Sequence, residues 1–316
     1  MIFARHAAAA LLLTALATPA LPQGRQPNLP QLLSPRVITA MPAAKPAKII
    51  RYGEGESQFA ELYLPKGVDA DARLPVVALI HGGCWRKDVG GIELLRPAAT
   101  AFMEKGYAVW SIGYRRIDEE GGGFPGTYQD VGAAIDALRN EAEEHRLDLG
   151  RLVLFGHSAG GHLALWAAGR HKLPESSPLY RENGLKPRGV VTVGGIPSLG
   201  KWQPLVDSAC GSGTIAGLTP ASEAEEPTAD DARFAETSPD RLLPFGVETI
   251  LLHGVFDNVA FPAIGLDFAQ DARRAGDRSE VQIAPVAGHF EPIAPNTPAF
   301  AQARAGVDRL AGQTPR

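Results

Sequence analysis

The stretch Gly156-His157-Ser158-Ala159-Gly160 is the part of this chain that decides its fold. It follows a short apolar run, Leu152–Phe155, which predicts a strand, and it opens a segment of helix-forming residues at 161–168. A serine between two glycines at a strand-to-helix junction is typical of a sharp, strained turn. Because side chains two residues before and after the serine would collide with neighbouring backbone, the turn requires glycine there. The serine hydroxyl is therefore predicted to project from the end of a sheet, at the N-terminus of a helix.

Strand-like and helix-like segments alternate along residues 48–312. The run at 75–80 is continuously apolar, as in a buried central strand, whereas 59–64 alternates, as in a half-exposed antiparallel strand. The alternation predicts an α/β domain with a mainly parallel central sheet and helices on both faces. The other predicted elements are strands at 107–112, 152–155, 189–193, 248–252 and 280–284, and helices at 127–146, 261–274 and 298–310.

Three segments stand apart from this pattern. Residues 1–20 carry Arg5, an apolar run and small residues at their end, which predicts a signal peptide and export to a periplasm or beyond; an alanine-rich tail is the alternative. Residues 21–47 are rich in proline and are predicted to form an extended linker rather than core. Residues 197–244 are rich in Gly, Ser, Thr, Pro and acids, and are predicted to be a surface excursion or a small lid.

The composition is that of an ordinary globular protein, with 45% apolar and 21% charged residues in a chain of 316. The net charge of −4, without a basic cluster, argues against a nucleic-acid partner. The apolar run near the N-terminus is too short to span a membrane. Scattered histidines and two cysteines match no metal-site spacing, so we expect no metal and no cofactor. The sequence leaves the oligomeric state open.

Two further segments supply partners for Ser158. Asp257 follows the predicted strand 248–252, and His289 follows the predicted strand 280–284. The carboxyl ends of parallel strands meet at one edge of a sheet, where such sheets bind ligands. The chain order Ser158, Asp257, His289 is that of a Ser-Asp-His hydrolase triad, in which the histidine is the base and the aspartate orients it.

Alternatives remain for both partners. An alternative role for Asp257 is to cap the N-terminus of a following helix. Three other acids that precede His289 are alternative partners for it: Asp207, Asp231 and Asp240. His253 and His157 are other candidate bases, but His253 precedes the acid and His157 lies inside the turn.

The segment His81-Gly82-Gly83-Cys84-Trp85 directly follows the buried strand 75–80. A tetrahedral intermediate carries a developing oxyanion that needs backbone N–H donors already in place. Glycines let the backbone approach a substrate closely. We therefore predict an oxyanion hole formed by the amides of Gly82 or Gly83 and of Ala159; a purely structural turn is the alternative.

These segments together resemble the α/β-hydrolase superfamily, in particular its His-Gly-Gly esterase and lipase group, which includes arylformamidases and feruloyl-esterase-like enzymes. The resemblance covers residues 48–310. Cys84 stands where an aromatic residue is common in arylformamidases. The matching pieces are His81 to Trp85, Tyr114-Arg115, Phe124-Pro125 with Asp130, Gly156 to Ala164, His253-Gly254 with Asp257, and Gly288-His289-Phe290.

The resemblance implies a serine hydrolase that cleaves small carboxylic esters through an acyl-enzyme and needs no cofactor. Two alternatives are an arylformamidase or amidase that uses the same residues, and a non-catalytic binding protein on the same fold.

Several residues near these motifs have less defined roles. Cys84, Trp85 and His157 are predicted to line the substrate pocket, and Trp202 is an alternative lining residue or a packing residue of the lid. Cys84 and Cys210 form either a disulfide or two free thiols. The segment Tyr114-Arg115-Arg116 is either a substrate clamp or a loop brace, in which one arginine pairs with Asp130.

Overall fold

The computed structural model describes residues 31–69, 71–221 and 231–313. The predicted signal peptide and residues 21–30 of the predicted linker lie outside this part of the chain. Within it, eight strands form one sheet: β1 (Lys48–Arg51), β2 (Phe59–Tyr63), β3 (Leu74–Ile80), β4 (Ala108–Ile112), β5 (Leu147–His157), β6 (Gly189–Val193), β7 (Glu248–Gly254) and β8 (Ser279–Ala284).

Helices separate most of the strands. They are α1 (Pro35–Thr39), α2 (Arg96–Glu104), α3 (Gly126–Asp136), α4 (Leu138–Glu141), α5 (Ala159–Gly169), α6 (Gln203–Cys210), α7 (Thr214–Leu218), α8 (Pro262–Arg274) and α9 (Pro298–Leu310). Short 3₁₀ turns occur at Ile92–Leu95, Arg170–Lys172, Ala232–Phe234, Pro239–Leu242 and Glu291–Ile293. In the described residues, no helix is both long enough and apolar enough to cross a membrane.

The strand order across the sheet is β1-β2-β4-β3-β5-β6-β7-β8. Strand β2 runs antiparallel to both of its neighbours, and the pairs from β4 to β8 are parallel. The prediction of a mainly parallel sheet with helices on both faces is confirmed. Because β3, β5, β6, β7 and β8 point the same way, the loops that follow them gather at one edge of the sheet.

Two apolar clusters cover the two faces of the sheet. On β3, Val76, Ala78 and Ile80 belong to one cluster, whereas Val77 and Leu79 belong to the other. This alternation follows from the two-residue repeat of a strand, and it explains why every residue of β3 is buried. Helices α3, α5 and α8 pack on the first face, and α1, α2 and α9 pack on the second.

Two of the predicted elements differ in detail from the structure. Strand β2 is antiparallel as predicted, but Ala60 to Tyr63 are all buried, so the strand is not half-exposed. The charge of Glu61 is accommodated because its carboxylate accepts hydrogen bonds from Arg96 and the Tyr63 hydroxyl. The helix predicted over 127–146 ends earlier: α3 and α4 stop at Glu141, and Arg146 (φ 49°) turns the chain into β5.

The prediction that residues 21–47 form an extended linker is wrong for the part of it that the structure describes. Helix α1 lies within this segment, and Ile38 has no exposed surface because it joins the second apolar cluster. The Ala44 amide also donates a hydrogen bond to Thr100 Oγ1 on α2, at 2.8 Å. Residues 32–47 therefore belong to the folded domain.

The segment 197–244 is partly integrated into the first face. It contains α6 and α7, and several of its apolar side chains join the first cluster. Of the two predicted alternatives, a surface excursion does not describe these buried residues, and a small lid stays a prediction. The buried members are Leu199, Val206, Ile215, Leu218, Phe234 and Leu242.

Candidate active site

Ser158 occupies the sharp turn between β5 and α5. Its backbone angles are φ 53° and ψ −120°, a strained conformation for a residue with a side chain. A Cβ atom at Gly156 would overlap the carbonyl oxygen of Gly160, and one at Gly160 would overlap that of Ile80. The two glycines flanking the turn are therefore required by close backbone packing, as the sequence predicted.

Asp257 and His289 form a hydrogen-bonded pair on the loops after β7 and β8. The imidazole Nδ1–H of His289 donates to Asp257 Oδ2 at 2.8 Å. The other carboxylate oxygen, Oδ1, accepts from the amides of Val259 and Ala260 at 2.8 and 2.7 Å. Burial alone would raise the pKa of Asp257, but the hydrogen bond and charge of His289, together with the two amides, lower it below its usual value. Asp257 is therefore held as a buried carboxylate that fixes the His289 tautomer.

The alternative partners for His289 are engaged elsewhere. Asp240 accepts hydrogen bonds from Ser198 and Ser238, Asp231 caps the amide of Arg233, and Asp207 lies 3.5 Å from the amide nitrogen of Gln203. The alternative base His253 is fully buried, and its Nδ1 bonds to the Ala260 carbonyl at 2.7 Å. The structure thus resolves the choice of carboxylate partner in favour of Asp257.

Ser158 and the His289–Asp257 pair converge on the end of β6. The Ser158 amide donates to the Val193 carbonyl at 2.9 Å. At the next residue, Gly194, a Cβ atom would lie 2.9 Å from the His289 ring and 3.1 Å from Asp257. The hydrogen bonds of residues 31–69, 71–221 and 231–313 do not include one between Ser158 Oγ and His289. Such bonds commonly form only once substrate is bound.

The glycine loop after β3 runs directly against this turn. A Cβ atom at Gly82 would lie 2.7 Å from His157 Nδ1 and 2.9 Å from the Cβ of Ser158. Gly83 has φ 113°, which glycine adopts without strain. Ala159 is the first residue of α5, where amide hydrogens have no partner within the helix. The glycine loop and the first residue of α5 therefore both lie beside Ser158.

An aromatic contact that the sequence did not indicate braces this loop. The rings of His81 and Tyr114 stack at 4.3 Å between centroids, and the Tyr114 hydroxyl donates to the His81 carbonyl at 2.8 Å. Burial lowers the pKa of His81 to about 3, so the ring is neutral near pH 7. The sequence signal for this contact was the position of Tyr114. It lies two residues after β4, and β4 pairs with β3, the strand that precedes His81.

Comparison with known proteins gives consistent results. The family model BD-FAE matches residues 60–204, a little under half of the chain. The kynurenine formamidase of Danio rerio is 31% identical over 121 residues, which cover 36% of each chain. The carboxylesterase NlhH of Mycobacterium tuberculosis is 35% identical over 92 residues, 29% of this chain and 28% of that protein. The crystal structure of esterase B from Lactobacillus rhamnosis superposes with a TM-score of 0.70 at 20% identity, covering 88% of this chain and 90% of that one.

This chain has the α/β-hydrolase fold. The structural match fixes the fold, and the sequence matches confirm the resemblance to the esterase and lipase group. The chain spans only 6% to 36% of the length of the first curated relatives that match. The similarity to them is therefore confined to part of their length.

The chain contains a disulfide between Cys84 and Cys210, with Cα atoms 5.3 Å apart. It joins the glycine loop after β3 to the end of α6. The choice between a disulfide and two free thiols, which the sequence left open, is resolved in favour of the disulfide. Cys84 therefore has no free thiol to offer to a substrate.

Two of the predicted pocket residues present almost no surface to a ligand. Trp85 is fully buried and packs edge-on against His162 at 5.3 Å. His157 is 1% exposed, and its Nε2–H donates to the His289 carbonyl at 3.1 Å. Burial, reinforced by the nearby charge of His289, lowers the pKa of His157 to about 3. The pocket role predicted for both is corrected: these side chains support the loops around Ser158.

The two arginines after β4 brace loops. Arg115 binds both oxygens of Asp130 through its guanidinium, at 2.8 Å each, so the alternative of a loop brace is correct. Arg116 pairs instead with Glu119 at 2.7 Å and donates to the Gly90 carbonyl at 3.0 Å. Neither guanidinium is left free to act as a substrate clamp.

One group of described residues has metal-ligand chemistry, and it precedes β5, whereas Ser158 follows that strand. The potential ligand atoms of Glu141, Glu144 and His145 lie within 4.8 Å of one another. The Lys48 ammonium lies 2.7 Å from Glu141 and 3.5 Å from Glu144, so a positive charge already balances these carboxylates.

Proposed function

We propose that this α/β-hydrolase cleaves small carboxylic esters with Ser158 as nucleophile, His289 as base and Asp257 as the orienting acid. The observation that carries the proposal is the convergence at the end of β6. The amide of the strained Ser158 donates a hydrogen bond to the Val193 carbonyl. Gly194, the residue after Val193, lies against the buried His289–Asp257 pair. The similarity to a carboxylesterase and to an esterase fold supports the same chemistry.

The reaction would proceed in two halves. Ser158 Oγ attacks the ester carbonyl while its proton passes to Nε2 of His289, and the carbonyl oxygen becomes an oxyanion at the amides of Gly82, Gly83 and Ala159. The C–O bond to the alcohol breaks, and His289 returns the proton to that leaving group. Water, deprotonated by the same imidazole, then attacks the acyl-enzyme and releases the acid with Ser158 restored. Asp257 stabilises the imidazolium in both halves.

An arylformamidase activity is the second candidate, because the Danio rerio relative is a kynurenine formamidase. The same groups would attack a formamide carbonyl, and His289 would protonate the leaving amine. The two activities are separated by kcat/KM for an aryl acetate and for N-formylkynurenine, in a panel with graded acyl esters, acetylated sugars, feruloyl esters and formanilides. A preference for the formamide would favour the second candidate.

The test of the nucleophile is Ser158→Ala, with the exposed Ser208→Ala as the matched control. We expect Ser158→Ala to lower p-nitrophenyl acetate turnover by at least about 10³-fold, since loss of the nucleophile removes the acyl-enzyme route. A fluorophosphonate probe should label the native protein and Ser208→Ala, but not Ser158→Ala. An unlabelled, inactive native protein would support the alternative of a non-catalytic binding protein.

We also propose that the protein is exported to a periplasm or the extracellular space. The Cys84–Cys210 disulfide supports this, because disulfides persist mainly in oxidising compartments. The N-terminal sequence pattern supports it independently. Fractionation of cells expressing the full chain, with N-terminal sequencing of the product, tests the proposal; an unprocessed protein in the cytoplasm would contradict it.

A further inference from the structure

The buried carboxylate of Glu291 joins two parts of the chain that are far apart in sequence. Its Oε2 accepts a hydrogen bond from the Gly288 amide at 2.8 Å, and its Oε1 accepts one from the Leu33 amide. Gly288 directly precedes His289, whereas Leu33 lies 258 residues away from Glu291. Glu291 is 7% exposed, so its two oxygens depend on these amides rather than on solvent.

Side-chain packing reinforces the same junction. A Cβ atom at Gly288 would lie 3.1 Å from Leu32 Cδ1 and 3.3 Å from Glu291 Oε2, so the chain at 288 lies against both groups. Leu33 and Phe290 each pack on the second apolar cluster. A few residues further on, Ile38 on α1 is fully buried in that cluster and anchors the segment.

We propose that Glu291 is a positioning residue for His289, and that residues 32–38, the N-terminal strap, complete its function through the Leu33 amide. The inference rests on the proposed function of His289 as base. An amide donor on each oxygen holds the carboxylate in one orientation, and that carboxylate in turn holds the peptide of Gly288. Removing the Leu33 donor leaves a buried charge half-satisfied, so the carboxylate reorients and the Gly288 peptide moves with it.

The consequence for catalysis is geometric. His289 must meet both Asp257 and the Ser158 hydroxyl, and misplacement of a catalytic group by about 1 Å costs about 10²-fold in rate. A backbone shift at Gly288 is transmitted directly to the next residue. The strap therefore contributes to kcat although it lies at the opposite end of the sequence from the base.

The test uses full-length variants that separate the amide of residue 33 from its side chain. Leu33→Pro removes the N–H donor, and the matched control Leu33→Ala keeps it while shortening the side chain. Glu291→Gln keeps the shape but places an NH₂ group against one of the two amides. The double variant Leu33→Pro/Glu291→Gln completes a double-mutant cycle. Turnover of p-nitrophenyl acetate is expressed per active site titrated with a fluorophosphonate, which counts only folded, reactive protein.

We expect Leu33→Pro and Glu291→Gln each to lower kcat by about tenfold with KM changed less than about twofold, and Leu33→Ala, which keeps the N–H donor, to lower kcat much less than Leu33→Pro does. The double variant should be no worse than either single variant, because the strap acts through Glu291. Normal kcat per titrated site in both single variants overturns the inference, as does a double variant about 100-fold slower, which would mean independent effects. If Leu33→Pro does not fold, Glu291→Gln tests the positioning role of Glu291 alone, and a normal kcat per titrated site in that variant overturns the inference.

Failure of the proposed function gives a different result. If native turnover is independent of Ser158, the proposed mechanism fails and this inference fails with it. If turnover requires Ser158 but is unaffected by the strap variants, the inference alone fails.

Discussion

At the scale of single residues, the site depends on backbone groups packed so closely that side chains are excluded. The turn at Ser158 leaves no space for a Cβ atom at Gly156 or Gly160. A Cβ atom at Gly82 would likewise lie within 3 Å of His157 and Ser158. The neighbours at Gly156 and Gly160 are backbone oxygens, which cannot move away as a flexible side chain can. The positions that flank the nucleophile therefore constrain folding as well as chemistry.

Gly160→Ala should destabilise the protein severely, because the new methyl group would overlap the Ile80 carbonyl in β3. We expect a loss of about 3 kcal/mol or more in the free energy of unfolding, or no folded protein at all, since overpacking of this kind forces a backbone shift. Urea unfolding measures it. The control is Gly150→Ala, where the nearest atom is a side-chain oxygen of Asp148 at 3.2 Å. Equal stability of the two variants would contradict the structure around Ser158.

Asp257→Asn should preserve the fold and lower kcat by about 10⁴-fold, because the amide stabilises the wrong tautomer of His289. Steady-state kinetics with p-nitrophenyl acetate measures the loss. Asp240→Asn is the matched control, since the Asp240 carboxylate accepts hydrogen bonds from Ser198 and Ser238. A nearly normal rate in Asp257→Asn, or an equal loss in Asp240→Asn, would refute the assignment of the acid.

At the scale of elements, the loop after β3 is held from several directions. The disulfide links Cys84 to the end of α6, and the stacked His81–Tyr114 pair holds the start of the loop. Cys84 and Trp85 have φ values of 54° and 53°, which residues with side chains adopt only when neighbouring contacts enforce them. The conformation of this loop therefore depends on the disulfide and the aromatic contact as well as on its own glycines.

Removal of the disulfide should destabilise the protein. We expect Cys84→Ser/Cys210→Ser to lose about 2–5 kcal/mol of unfolding free energy, since the crosslink closes a loop with a sequence separation of 126 residues. Thermal unfolding with and without a phosphine reductant measures the effect. The reductant should destabilise the native protein and leave the double variant unchanged. A native protein whose stability is insensitive to complete reduction would rule out a structural role for the crosslink.

At the scale of the whole molecule, the fold buries several histidines, which are neutral near pH 7. Burial lowers the pKa of His81 and His157 to about 3 and that of His162 to about 4. In the unfolded chain these groups titrate near their ordinary pKa of about 6.5. Below that pH the unfolded state binds more protons than the native state, so the stability contributed by the neutral rings is complete above about pH 6.5 and is lost as pH falls.

Stability should therefore decline on acidification well before the carboxylates titrate. Each of the three histidines contributes a slope of about 1.4 kcal/mol per pH unit between about pH 6 and pH 4. Urea unfolding at pH 7.5, 6.5, 5.5 and 4.5 measures the decline. His162→Gln provides the comparison: its slope should be smaller by about 1.4 kcal/mol per pH unit, whatever its absolute stability. A stability that does not change between pH 7.5 and 4.5 would show that the histidines are not buried in neutral form.

The sequence by itself determined the features that depend on local sterics and on the periodicity of apolar residues. These are the glycine-flanked turn at Ser158, the continuously buried β3, the later parallel strands, and the order of Ser158, Asp257 and His289. Only the tertiary structure decided which acid pairs with His289, that Cys84 bonds to Cys210, and that Trp85 and His157 are buried beneath the site. It also placed residues 32–47 in the fold and the Leu33 amide on Glu291. These features depend on contacts between residues far apart in the chain, whose distances no local pattern specifies.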